Sequence, residues 1–291
     1  MKNILLLLVK VLLILWLVVI IFITIIIVNF LSLGYDTYKP MGRLMTSIRE
    51  NNITEFETAL EWCSKRDINS LQYRSKIMVH IAEVENLYPL ELACKQGNFD
   101  MVKRLIERGA DVNMVNPQYH TTPLIMATRG VGNDAYKISM FLIEQGADIN
   151  AADRKGYTPL SNVADMVYSQ ESEEEEYIRS GMELFVYLVE NCDTLEVKLH
   201  AGHTNILECT TSFDNLPAVK YLIENHYSEM NDFSENGMTI LHFAVKKNSI
   251  NVCKYLLEQG ANQNILDAEG KTAYDYALEN GSEDMIALFN N

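Results

Sequence analysis

Apolar and polar positions follow two different patterns along this chain. Residues Val11 to Val28 are apolar except for Thr24, and the run resumes at Phe30, Leu31 and Leu33. A run of roughly 18 residues makes a helix of about 27 Å, near the hydrocarbon thickness of a bilayer. The reading is a lipid-spanning helix over residues 11–33, with Lys10 able to snorkel at its edge. A cleaved signal peptide ending near Ser32-Leu33-Gly34 is the alternative, although the run exceeds the roughly 7–15 residues of a signal core. Lys2 and Lys10 precede the run, and Lys39, Arg43 and Arg49 follow it, so the side on which the bulk of the chain lies is not decided. The localisation expected from this pattern is single-pass membrane.

Beyond Gly34 the pattern changes to short amphipathic stripes that recur every 33–36 residues. One phrase reads Tyr88-Pro89-Leu90-Glu91-Leu92-Ala93-Cys94, Thr122-Pro123-Leu124-Ile125-Met126-Ala127-Thr128, Thr158-Pro159-Leu160-Ser161-Asn162-Val163-Ala164 and Thr239-Ile240-Leu241-His242-Phe243-Ala244-Val245. A second follows each at similar spacing, as in Leu105-Ile106-Glu107-Arg108-Gly109-Ala110-Asp111-Val112-Asn113, Leu142 to Asn150 and Leu256 to Asn262. The Thr hydroxyl caps a first helix, and Pro in the first turn forfeits no hydrogen bond. Leu and Ala form its buried face. The paired Leu and Ile residues are the stripe of a second helix, which Gly109, Gly146 and Gly260 end in the left-handed conformation. Helices this short are marginal alone and must stack on their neighbours.

These phrases resemble the ankyrin repeat from about Leu87 to Leu288. The resemblance implies an all-α solenoid of helix–turn–helix units with β-hairpin fingers and a concave binding face. Two weaker units begin at Gly202 and Gly270, the last ending as a polar cap. In Asn205, Ile240 and Ala273 other residues replace the expected Pro. Leu44, Ile48, Phe56, Leu60 and Arg66-Asp67-Ile68-Asn69 outline a degenerate first unit, opened by Pro40, for six or seven units in all. The organisation expected is an anchor over 1–34, a short linker and degenerate repeat with an inserted finger over 35–86, and repeats with their cap over 87–291.

Insertions in such arrays map to exposed loops. From Pro159 to the second-helix Leu188 is 29 residues, against 16 from Pro89 to Leu105. The excess includes Glu171, Glu173, Glu174, Glu175 and Glu176, read either as a solvated loop or as an acidic contact for a basic protein. A second excess surrounds residues 76–81, either an elongated hairpin or a local repacking.

The formal charge of −15 disfavours nucleic acid and anionic headgroups. It either favours a basic protein partner or only keeps the domain soluble. No catalytic motif, phosphate-cradling Gly loop or paired metal-ligand phrase is present, so the sequence argues for neither an enzyme nor a cofactor or metal site. His242 stands where the family carries a histidine that hydrogen-bonds between units. Cys94, Cys209 and Cys253 fall at core-type positions, whereas Cys192 takes the place of a helix-ending Gly and is the thiol to test for reactivity. Position within the repeat marks Met114, Gln118, Tyr119, Arg129, Arg154, Tyr157, Phe233 and Met238 as candidate partner-binding residues. The expected role is a membrane-tethered adaptor that binds a protein. The alternatives are an inhibitor or immunity-type protein that neutralises a basic enzyme or toxin, and a secreted binder.

Overall fold

The structure is a computed structural model that describes residues 40–70, 87–130, 134–166, 175–199, 202–232, 234, 236–280 and 282–290. Seven helix pairs follow one another among these residues. They are α1 (Pro40–Arg49) with α2 (Ile53–Glu61), then, after the single turn α3 (Lys65–Ile68), α4 (Pro89–Lys95) with α5 (Phe99–Glu107). Next come α6 (Pro123–Ala127) with α7 (Asp134–Glu144), and α8 (Pro159–Met166) with α9 (Glu175–Asn191). After the hairpin β1 (Glu196–Leu199) and β2 (Gly202–Asn205) stand α10 (Ile206–Ser212) with α11 (Leu216–Glu224), α12 (Ile240–Lys246) with α13 (Ile250–Glu258), and α14 (Ala273–Asn280) with α15 (Glu283–Phe289).

Helix starts follow the capping chemistry of the repeated phrases. The Thr122 and Thr158 hydroxyls accept from the Ile125 and Ser161 amides at 3.3 and 3.2 Å. In the fifth pair Asn205 stands at the capping position and not at the Pro position expected for it: its side chain accepts from the Glu208 amide at 2.8 Å, and Ile206 opens α10. Second helices are capped in the same way by Asn98 and Asn215. Gly146 and Gly260, at φ +88° and +84°, end α7 and α13 in the left-handed region. His226 takes that role after α11 at φ 58°.

First helices pack on first helices and second helices on second, so the chain forms two helical layers. Pro123, Pro159 and Ile240 open α6, α8 and α12, equivalent places along the stack. Leu105, Leu142, Leu188, Leu222 and Leu256 are fully buried between the layers. Each contributes about 2 kcal/mol on leaving water. Cys94, Cys209 and Cys253 lie fully buried among them.

Asparagine links the units. Asn113 donates to the Gly146 carbonyl at 2.8 Å and accepts from the Asp148 amide at 2.8 Å. Asn69 makes the same pair of bonds to Gly109 and Asp111. Asn150 instead exchanges hydrogen bonds with Asp193. The last residue of the Gly-Ala-Asp-x-Asn phrase therefore secures the glycine turn of the following unit.

Four expectations are corrected. Among the described residues no helix is long and apolar enough to cross a membrane. The single-pass localisation is therefore withdrawn, and the run over 11–33 lies outside the described residues. The fingers are not generally β-hairpins: among the described residues only β1 and β2 pair, with Glu196 opposite Asn205 and Leu199 opposite Gly202. Other fingers close through a single backbone hydrogen bond, as from the Asp153 amide to the Tyr157 carbonyl at 2.9 Å, while an Asn or Asp oxygen captures two further amides within the loop. Glu175 and Glu176 belong to the first turn of α9, not to a loop, since the long α9 absorbs much of the excess sequence. Glu171, Glu173 and Glu174 and the strand-rich residues 76–81 lie outside the described residues. Cys192 is half-buried, its thiol donates to the Thr194 carbonyl at 3.2 Å, and burial holds its pKa above the usual thiol range.

Candidate functional site

The buried apolar side chains fall into two clusters, one spanning Leu44 to Ala147 and the other Leu160 to Met285. They adjoin where α6 meets α8, and polar groups knit the inner layer there. The Asn162 amide donates to the Thr128 hydroxyl at 3.1 Å, and the Arg129 Nε donates to the Asn162 oxygen at 3.4 Å.

Beside this junction lies an open-sided cleft of about 520 Å³. Its base includes Leu87 and Met126, both largely buried, and its rim carries Tyr119, Arg129, Arg154 and Lys155. Two consecutive fingers frame it. In the first, the Asn116 oxygen accepts from the Gln118 and Tyr119 amides. Its amide nitrogen donates to the fully buried Glu91 carboxylate at 2.9 Å, which also accepts from the Thr121 hydroxyl at 2.6 Å. These bonds bolt the finger to α4. In the second, the Asp153 oxygen accepts from the Lys155 and Tyr157 amides at 2.7 and 2.9 Å. The fingers join where the Arg154 amide donates to the Tyr119 carbonyl at 3.0 Å.

Arg129 ties the finger to the helix. Its guanidinium donates to the other Asp153 oxygen at 2.7 Å and lies 5.4 Å from the centre of the Tyr157 ring, within cation–π range. Burial pushes the Asp153 carboxyl up, but the Arg129 hydrogen bond and the two backbone amides outweigh it and hold the pKa below the usual aspartate range.

Gln118, Tyr119, Arg129 and Arg154 are thus brought together at one cleft, with Tyr157 packed beneath Arg129. Met114 is half-buried and outside the cleft. Met238 is only 7% exposed, directly before the Thr239 cap, and drops out of the candidate set because a partner has no access to it. Phe233 lies outside the described residues.

Sequence reasoning missed Lys95, Asp153, Asn162 and Lys155. Lys95 stands six residues after Pro89 as Arg129 does after Pro123, so register alone points to it. Asp153 and Lys155 flank Arg154 and were legible as the closing residues of a turn.

His242 holds two units together. Its Nδ1 accepts from the Thr239 amide at 3.1 Å, which leaves Nε2 to donate to the Lys271 carbonyl of the next unit at 3.2 Å.

A family model described as "Ankyrin repeats (3 copies)" matches residues 44–153 and 179–290. The putative ankyrin repeat protein FPV230 of Fowlpox virus (strain NVSL) is 26% identical over 195 residues, 67% of this chain and 94% of the viral protein. Neurogenic locus notch homolog protein 1 of Danio rerio is 26% identical over 177 residues, 60% of this chain. The chain spans only 6% of that relative's length. Among solved structures, a chain in "Bd0816 Predatory Endopeptidase from Bdellovibrio bacteriovorus in complex with immunity protein Bd3460" superposes with a TM-score of 0.55 at 18% identity. The match covers 69% of this chain and 96% of that one, and at such identity the likeness speaks to the fold alone.

Proposed function

The chain belongs to the ankyrin-repeat family, and from that premise we propose that it is a non-catalytic adaptor whose finger cleft captures a segment of another protein. The observation that carries the reading is the cleft at the α6–α8 junction, where Gln118, Tyr119, Arg129 and Arg154 converge. Gln118, Tyr119 and Arg154 stand exposed on fingers that are themselves hydrogen-bonded, and Arg129 holds that frame together. Tyr and Arg offer large contact area at modest conformational cost, which is why they anchor interfaces. An open-sided cleft suits an extended segment better than an enclosed small molecule.

The inhibitory alternative against a basic enzyme or toxin gains nothing at this site. Among the described residues of the cleft, Arg154 and Lys155 are exposed cations and the one carboxylate, Asp153, is bonded to Arg129, so a basic surface is repelled there.

The test is affinity capture with the full chain and with a variant carrying Tyr119→Ala, Arg154→Ala and Tyr157→Ala. A protein retained by the wild type and lost from the variant, at similar thermal midpoints, supports the reading. Equal retention by both removes this face as the binding site.

A further inference from the structure

Among the described residues the cleft has the opposite sign to the molecule. The chain carries a formal charge of −15, yet the described residues of the cleft include Arg129, Arg154 and Lys155 beside one carboxylate. That carboxylate, Asp153, is already matched by Arg129 at 2.7 Å. Arg154 and Lys155 are exposed, and neither forms an ion pair among the described residues. Their backbone is held, since the Arg154 amide is bonded to the Tyr119 carbonyl and the Lys155 amide to Asp153. The backbone beneath the two charges is therefore fixed before a ligand arrives, and only the side chains remain to be ordered.

We propose that the cleft takes an acidic peptide segment of a protein partner, with carboxylates on Arg154 and Lys155 and an apolar side chain packed on the exposed Tyr119 ring. The inference rests on the capture reading above and adds the chemistry of the segment. Charge complementarity carries it. The negative surface elsewhere decides between polyanions: a nucleic acid running past the cleft meets repulsion along its length. A short acidic segment places its charge within a Debye length, about 8 Å, of the cations. Arginine's planar fork matches a carboxylate with two parallel hydrogen bonds, which favours Asp and Glu side chains over neutral polar ones.

The experiment measures fluorescence anisotropy of the full chain with three labelled peptides of equal length. One alternates Leu with Asp and Glu, one Leu with Ser, and one Leu with Lys; a single-stranded oligothymidylate is the fourth probe. The expected result is that the acidic peptide binds tightest and weakens at least tenfold in the Arg154→Glu, Lys155→Glu double variant. It also weakens about tenfold as salt rises from roughly 0.05 to 0.5 M, because exposed charge pairs are screened. Both substituted residues are exposed, so circular dichroism and the thermal midpoint should remain those of the wild type. Equal or tighter binding of the lysine peptide or the oligonucleotide overturns the proposal, as does acidic-peptide binding that ignores the double variant. Binding of the serine peptide alone, abolished by Tyr119→Ala, overturns the acidic preference and leaves the capture reading standing. Failure of all three peptides, with a captured protein indifferent to Tyr119→Ala, overturns both.

Discussion

Arg129, just past the end of α6, holds the Asp153 carboxylate of the following finger at 2.7 Å. The contact spans two repeats at the place where the apolar core changes from one cluster to the other. A charged hydrogen bond there adds to the apolar packing, which Ile143 and Ile149 carry across by touching both clusters. The Asp153 side chain is only 7% exposed, so losing Arg129 leaves a buried carboxylate with one oxygen unpartnered and only two backbone amides on the other. Arg129→Met should destabilise the chain by about 2 kcal/mol. Chemical denaturation checks this, and a combined Arg129→Met, Asp153→Asn variant should recover part of the loss.

Asn113 secures the Gly146 turn through two hydrogen bonds at 2.8 Å. Each contributes about 0.5–1.5 kcal/mol net, so Asn113→Ala should lower stability by about 1–2 kcal/mol. Asn113→Asp keeps the acceptor and loses the donor, and should fall between. Equal stability of all three proteins by urea titration would refute an inter-unit role for this amide.

His120 adopts φ +56° at the tip of the first finger, beside Tyr119, where the next finger has Gly156 at φ +89°. A side chain in the left-handed region costs about 1–2 kcal/mol, part of which glycine gives back in unfolded-state entropy. His120→Gly should therefore raise stability by about 0.5–1 kcal/mol, read from the thermal midpoint. A lower midpoint would show that the imidazole makes a compensating interaction.

Acid should unfold the protein through its aspartates. Asp153 is held low as described. Asp67 is held low by the Ser64 hydroxyl, Asp267 by the Tyr276 hydroxyl and Asp275 by the Thr272 amide. A folded-state pKa below the unfolded one contributes stability that is complete above about pH 4 and disappears as pH falls through the lower folded value. Glu208 works in the opposite sense, since burial raises its pKa, but it is one group against four. The thermal midpoint should stay nearly level from neutral pH to about 5 and drop steeply below 4. Asp153→Asn should make the drop shallower.

Thiol chemistry should be slow. Burial pushes the Cys63 pKa up to about 11 and that of Cys253 up to about 12, and raises those of Cys94 and Cys192 as well. None of the five cysteines forms a disulfide. Ellman's reagent at about pH 8 should react with the native chain much more slowly than with free cysteine, and with all five thiols after unfolding. Rapid modification of Cys192 alone would restore the idea of an exposed, reactive thiol at the end of α9.

The repeat itself was legible in the sequence because its physics is local. Thr122 before Pro123 fixes where a helix begins, Gly146 fixes where one ends, and the Leu spacing fixes which faces must be buried. Each of those effects acts within about one helical turn. Four of the eight candidate residues, Gln118, Tyr119, Arg129 and Arg154, were found at the cleft for the same reason: register within a repeat determines which layer a side chain occupies. Tertiary structure decided what depends on the spacing between units. It buried Met238, ran α9 back to Glu175, reserved Asn113 for the neighbouring glycine turn and paired Arg129 with Asp153 across two repeats. It also gathered Arg154 and Lys155 of one finger beside Tyr119 of another. Net charge is a sum over the whole chain, whereas a ligand responds to the few charges within about a Debye length. Only the stacking of successive units brings these side chains and Lys95, at the end of α4, to one cleft.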